Sequence, residues 1–188
     1  HHAAATQVPR IMALSLLGQY DEAIACADSA QRALVGLGDR RAAAKVSLNL
    51  GSMFVHRGDY AEAVRHSRQA AVLFARVGDH EWSITADMNM ANALTSLGDF
   101  DEALRVLARA DMRAAAHAFP VLQALIEEAV AFLRLARGQY GEALAGFEGA
   151  RRRYEQLDMV PEAAVAEKQL ADTYLELRLL PEALALLE

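Results

Sequence analysis

Apolar residues recur every three or four positions along most of this chain. Val46, Leu50 and Phe54 make one such stripe, and Met90, Leu94 and Leu97 another. That spacing puts the apolar side chains on one face of an α-helix. The segments that carry it, such as 41–57 and 81–97, contain no Pro and a single Gly, Gly51. The pattern predicts helices of about 15–18 residues, joined in antiparallel pairs by short loops.

The loops repeat. Gly18-Gln-Tyr-Asp-Glu-Ala-Ile24 returns as Gly58-Asp-Tyr-Ala-Glu-Ala-Val64, Gly98-Asp-Phe-Asp-Glu-Ala-Leu104 and Gly138-Gln-Tyr-Gly-Glu-Ala-Leu144, each 40 residues after the last. Arg178-Leu-Leu-Pro-Glu-Ala-Leu184 keeps the register. Each column has a physical task. The Gly accepts positive φ where the chain turns. Tyr20, Tyr60, Phe100 and Tyr140 wedge the turn. Glu22, Glu62, Glu102, Glu142 and Glu182 meet the positive end of the next helix dipole. Ala23, Ala63, Ala103 and Ala143 are each followed seven residues later by a second Ala, on the same helix face, where small size admits a neighbouring helix. A second loop centres on Gly38 and Gly78 and drifts to Ala118 and Asp158. Gly141, Gly146 and Gly149 crowd one helix, which should be the weakest unless they allow unusually close packing.

These motifs resemble the tetratricopeptide repeat, in its variety with a 40-residue period. Asn49-Leu-Gly51, then Gly-Asp-Tyr-x-Glu-Ala, then Gly-Asp carries the likeness. The family's small residue of the first helix falls on Gly51, Ala91, Ala131 and Ala171. Its aromatic column falls on Phe54 and Tyr174, with Leu94 as a variant and Arg134 as a departure. The resemblance implies an all-α fold, a right-handed superhelical solenoid of antiparallel helix pairs with about 4.5 repeats. The expected organisation is one array over 1–188, with units near 1–37, 38–77, 78–117 and 118–157 and a shortened 158–188. That shortened last unit reads as the mark of a fragment of a larger protein.

Such helix pairs bury their apolar faces by stacking, and the resemblance implies a concave side lined by the first helix of each pair. The stripe expected there is Lys45, Asn49, Ser52 and His56 in the second unit. Shifts of 40 give Thr85, Asn89, Asn92 and Ser96, then Leu125, Ala129, Phe132 and Ala136, then Val165, Gln169, Asp172 and Glu176. The stripe grades from basic and polar, through amides, to apolar and finally acidic. Asn49 and Asn89 stand where the family's grooves place an Asn on a peptide backbone, which suits an amide that both donates and accepts. Leu125 and Phe132 read either as a pocket for an apolar side chain or as packing against the next helix. A full carboxylate clamp, as in cochaperone members, would need basic residues where Leu125 and Ala129 stand.

Composition narrows the rest. The net charge is −6, so bulk attraction to nucleic acid or an anionic membrane is not expected. No apolar run is long enough to span a bilayer. Cys26 is the only cysteine, which rules out a disulfide within the chain and suits a reducing, cytoplasmic setting. Arg-rich, Lys-poor usage fits a bacterial source. No phosphate loop, metal-spaced cluster or nucleophile elbow is present. The reading is therefore not an enzyme and calls for no cofactor. It is a module that holds a protein or peptide in its groove, within a larger bacterial signalling or regulatory protein. The alternative is a spacer or weak self-association module that pairs through exposed ends.

Overall fold

The computed structural model describes residues 7–177, and among them are nine α-helices and no strand. They are α1 (Gln7–Leu16), α2 (Tyr20–Gly36), α3 (Arg40–Arg57), α4 (Tyr60–Arg76), α5 (His80–Leu97), α6 (Phe100–Ala116), α7 (Pro120–Ala136), α8 (Tyr140–Gln156) and α9 (Val160–Glu176). The helices from α2 onward run 17 or 18 residues, as the apolar spacing predicts. The fifth turn motif, from Arg178, lies outside the described residues.

Every described turn between helices is closed in the same way. Gly18, Gly38, Gly58, Gly78, Gly98 and Gly138 all have φ between 71° and 86°. The amide after each donates to the carbonyl five residues back, as in Asp59 N to Phe54 O at 2.9 Å. This caps carbonyls that the helix end leaves unpaired. Ala118 (φ 54°) and Asp158 (φ 57°) take the same conformation where glycine is missing. Phe119 N still reaches Ala114 O, and Met159 N reaches Tyr154 O, both at 2.9 Å. A left-handed Ala costs about 1 kcal/mol, which the packing on either side offsets.

The chain forms two compact units that divide between Val106 and Leu107, within α6. In the first, the core runs from Ile11 and Leu14 through Val46, Leu50, Met53 and Phe54, and a second cluster gathers around Phe74. In the second, Tyr154 packs among Ala124, Ala150, Ala163 and Ala166, and Phe147 among Ala131, Ala143 and Leu170. The paired alanine columns, from Ala23 and Ala30 to Ala143 and Ala150, are buried throughout. Glu22, Glu62, Glu102 and Glu142 lie in first helical turns.

The three glycines of α8 behave differently from one another. A methyl on Gly146 would come within 2.9 Å of Ala131 Cβ, and one on Gly149 would meet the Glu127 carboxylate, while Gly141 faces open space. Two of the three therefore serve close packing against α7.

Candidate functional site

In the first unit, α3 and α5 carry the polar stripe side by side. Lys45, Asn49 and Ser52 are half-buried on α3 and His56 is exposed; Thr85 and Asn89 are half-buried on α5, and Asn92 and Ser96 are exposed. Arg41 on α3 pairs at 2.7 Å with Asp79, which caps α5, and two further contacts join the helices along their length. Asn89 Nδ2 donates to Ser52 Oγ at 3.1 Å, and Lys45 Nζ lies 5.7 Å from the centre of the Trp82 ring. The partners in both contacts are 37 residues apart. The first helices thus meet in a register three residues short of the repeat.

This register sorts the amides. Asn89 is tied to Ser52, so its amide is half occupied. Thr85 and Ser96 donate back to their own helix, to Glu81 O and Asn92 O. The side chains of Asn49 and Asn92 make no hydrogen bond among the described residues, so both are open to a ligand backbone. Trp82 was not part of the predicted stripe. It rests on Phe74, with ring centres 6.1 Å apart, and is 37% exposed. The signal for it was the cation at Lys45, but pairing the two required the three-residue offset.

The second unit holds the rest of the stripe. Leu125 is half-buried against the cluster that contains Tyr154, Ala163 and Ala166. Phe132 stays 39% exposed, with its ring edge-on to Phe147 at 4.9 Å between centres. Gln169 is half-buried on α9. Arg134, in the column that holds Phe54, Leu94 and Tyr174, turns to Glu142 at 3.3 Å. Each arginine of the run Arg151–Arg153 has one carboxylate partner, Glu155, Glu148 and Glu127 respectively. Buried Tyr154 donates its hydroxyl to Glu128 at 2.7 Å. Burial raises the Glu128 carboxyl above its ordinary value despite that bond, and Glu162 adds to the rise. Burial and the Glu128 acceptor also raise the Tyr154 phenol.

His66 is the other perturbed group. It stacks on Phe54, with ring centres 5.2 Å apart, and Arg65 lies 2.7 Å from its Nε2. A guanidinium only donates, so Nε2 accepts and the neutral ring carries its proton on Nδ1. Burial first, then Arg65, holds the ring below the ordinary value of 6.5, against the opposing pull of Glu62 and Asp28. The unfolded chain therefore binds a proton that the folded one refuses as pH falls below 6.5. Stability should drop from that point downward until the folded ring itself protonates. Urea titrations across that range should show a shallower acid loss for His66→Phe than for the parent; equal slopes would exclude this origin.

Among the described residues, no group of three or more His, Cys, Asp or Glu is placed to hold a metal ion. No described helix is long and apolar enough to cross a membrane. Comparison with known proteins adds the following. The sequence model of the tetratricopeptide repeat matches residues 2–71 and 42–110. No curated protein matches. Among solved structures, a Rap protein complexed with competence and sporulation factor is 18% identical, with TM-score 0.79, over 94% of this chain and 50% of that one. Aspartyl phosphate phosphatase F from Bacillus subtilis is 17% identical, with TM-score 0.84, over 96% and 47%. The signal transduction ATPase with a tetratricopeptide repeat sensor from Pyrococcus horikoshii is 13% identical, with TM-score 0.79, over 92% and 27%. The chain spans about half the length of the first two. At such identities the likeness shows the shared fold.

Proposed function

Because the chain belongs to the tetratricopeptide repeat family, we propose that it is a protein-interaction module that holds an extended peptide against the α3–α5 face. The observation that carries this is the pair of unengaged amides, Asn49 and Asn92, on either side of the Ser52–Asn89 bond. Amides that both donate and accept match a peptide backbone. Lys45 and Trp82 close one end of this face with a cation and an aromatic surface, and Trp is a residue type that anchors many interfaces. The Rap protein of similar fold is complexed with competence and sporulation factor, and the Pyrococcus signal transduction ATPase has a tetratricopeptide repeat sensor. Both support a place for this chain in a signalling or regulatory protein.

The test starts from peptides selected on the chain from a random displayed library. Asn49→Ala/Asn92→Ala should bind the selected peptide at least about tenfold more weakly, at unchanged helicity. Unchanged affinity would remove the amides from the mechanism. Failure to select any peptide, with association that grows with concentration in sedimentation, would favour a self-association module instead.

A further inference from the structure

The polar face of α3 and α5 continues onto α1, where its chemistry changes. Pro9, Met12 and Leu16 stand 40 residues before Asn49, Ser52 and His56, so they hold the same positions of the repeat. All three are exposed, Met12 by 57% and Leu16 by 81%. Ile11 and Leu14, on the inward side of the same helix, lie in the core with Val46, Leu50 and Met53 of α3. This helix therefore has two apolar sides, one covered by the protein and one open. A surface helix normally keeps its outward side polar.

The fold explains the exposure but not the residue types. α3 touches α1 on one side and α5 on the other, yet Ser52 is only half-buried and His56 is exposed. Asn92 and Ser96, at the same positions of α5, are exposed as well. These positions are open in each first helix of the unit, whatever lies beside it. On α3 and α5 they carry amides, hydroxyls and an imidazole, which water satisfies. On α1 they carry side chains that donate no hydrogen bond and that gain from being covered. The offset of 37 residues between α3 and α5, carried back one repeat, sets Met12 beside Asn49, whose amide is open. The apolar strip thus begins where the groups able to hold a peptide backbone end.

We propose that the peptide held at Asn49 lays one large apolar side chain on the strip of Pro9, Met12 and Leu16. Such an anchor presupposes the peptide face proposed above and adds the class of side chain that the partner must carry there. Over α3 and α5 the partner is held by its backbone, and over α1 by this side chain. Met12 has a flexible thioether that adapts to different shapes, so Leu, Ile, Met or Phe would serve. A second copy of the chain is the poorer occupant. Three side chains fall far short of the roughly 20–30 residues a side that a stable protein pair uses.

The probes are the peptides selected on the full chain from the random displayed library. They should share one large apolar position, and Ala at that position should weaken binding about tenfold. Met12→Ser/Leu16→Ser should weaken the selected peptide by a similar factor. The Ala-substituted peptide should lose little more on that variant, because both changes remove the same contact. Both side chains are exposed, so circular dichroism should show unchanged helicity. Independently of any variant, a peptide with photo-leucine at the apolar position should crosslink to the parent chain within α1. Selected peptides without a shared apolar position, losses that add in full, or crosslinks confined to other helices would overturn the anchor. If Asn49→Ala/Asn92→Ala still weakened binding in those cases, the peptide face itself would stand. Selection of no peptide would overturn both. Loss of association between copies in Met12→Ser/Leu16→Ser, at unchanged peptide affinity, would make the strip a self-contact and also overturn the anchor.

Discussion

Phe147→Ala should destabilise the second unit by about 3–5 kcal/mol. Phe147 has no exposed surface and stands among Ala131, Ala143 and Leu170. All three of its buried neighbours in that cluster are thus small or aliphatic, and alanines cannot move in to refill the volume. The ring also supports Phe132, whose edge sits 4.9 Å from it between centres. The truncation therefore removes both a core anchor and the backing of an exposed aromatic. Phe132→Ala, by contrast, loses a partly exposed ring and should cost about 1 kcal/mol. Urea denaturation followed by circular dichroism gives both numbers, and hydrogen exchange within Tyr140–Gln156 places the loss. A cost for Phe147→Ala no larger than that for Phe132→Ala would mean that this core is not built around it.

The glycines of α8 give the second large effect, and it changes sign along one helix. Gly→Ala inside a helix ordinarily stabilises by about 1 kcal/mol. Gly141 faces open space, so Gly141→Ala should stabilise by about 0.5 kcal/mol. At Gly146 the new methyl lies 2.9 Å from Ala131 Cβ and 3.4 Å from its Cα. A backbone cannot swing aside as a side-chain tip can. Gly146→Ala should therefore force α7 and α8 apart and cost about 1–3 kcal/mol. Adding Ala131→Gly should return much of that loss, because the clash is between these two residues. At Gly149 the obstacle is the movable end of Glu127, whose pair with Arg153 at 3.2 Å is partly exposed, so Gly149→Ala should be near neutral. If Gly146→Ala stabilises, the close approach is not tight in solution.

The sequence pointed to three glycines as a weakness of this helix or as a licence for contact. The distinction lies in what stands opposite each one, and periodicity does not contain that. The turns show a similar limit. Gly18, Gly58, Gly98 and Gly138 announce left-handed turns because only glycine takes positive φ without strain. Ala118 and Asp158 take it as well, and nothing local in their identity requires this. The amide-to-carbonyl bond and the repeating separation of the helices impose it.

The candidate site divides along the same line. Helical spacing was enough to put Lys45, Asn49, Ser52 and His56 on one side of α3, and Thr85, Asn89, Asn92 and Ser96 on the matching side of α5. It could not say which of them touch. A shift by 40 pairs Asn49 with Asn89, whereas the folded chain pairs Ser52 with Asn89 and Lys45 with Trp82, at 37. Leu125, read as either pocket or packing, is half-buried beside the cluster around Tyr154, and its own spacing does not show this.

From sequence alone came the helices, their lengths, the repeat and the alanine columns, since each rests on local spacing and on the conformational limits of single residues. The register between neighbouring helices came only with the tertiary structure, because it is set by how side chains of unequal size interlock across an interface. That register decides which amides are bonded and which are open.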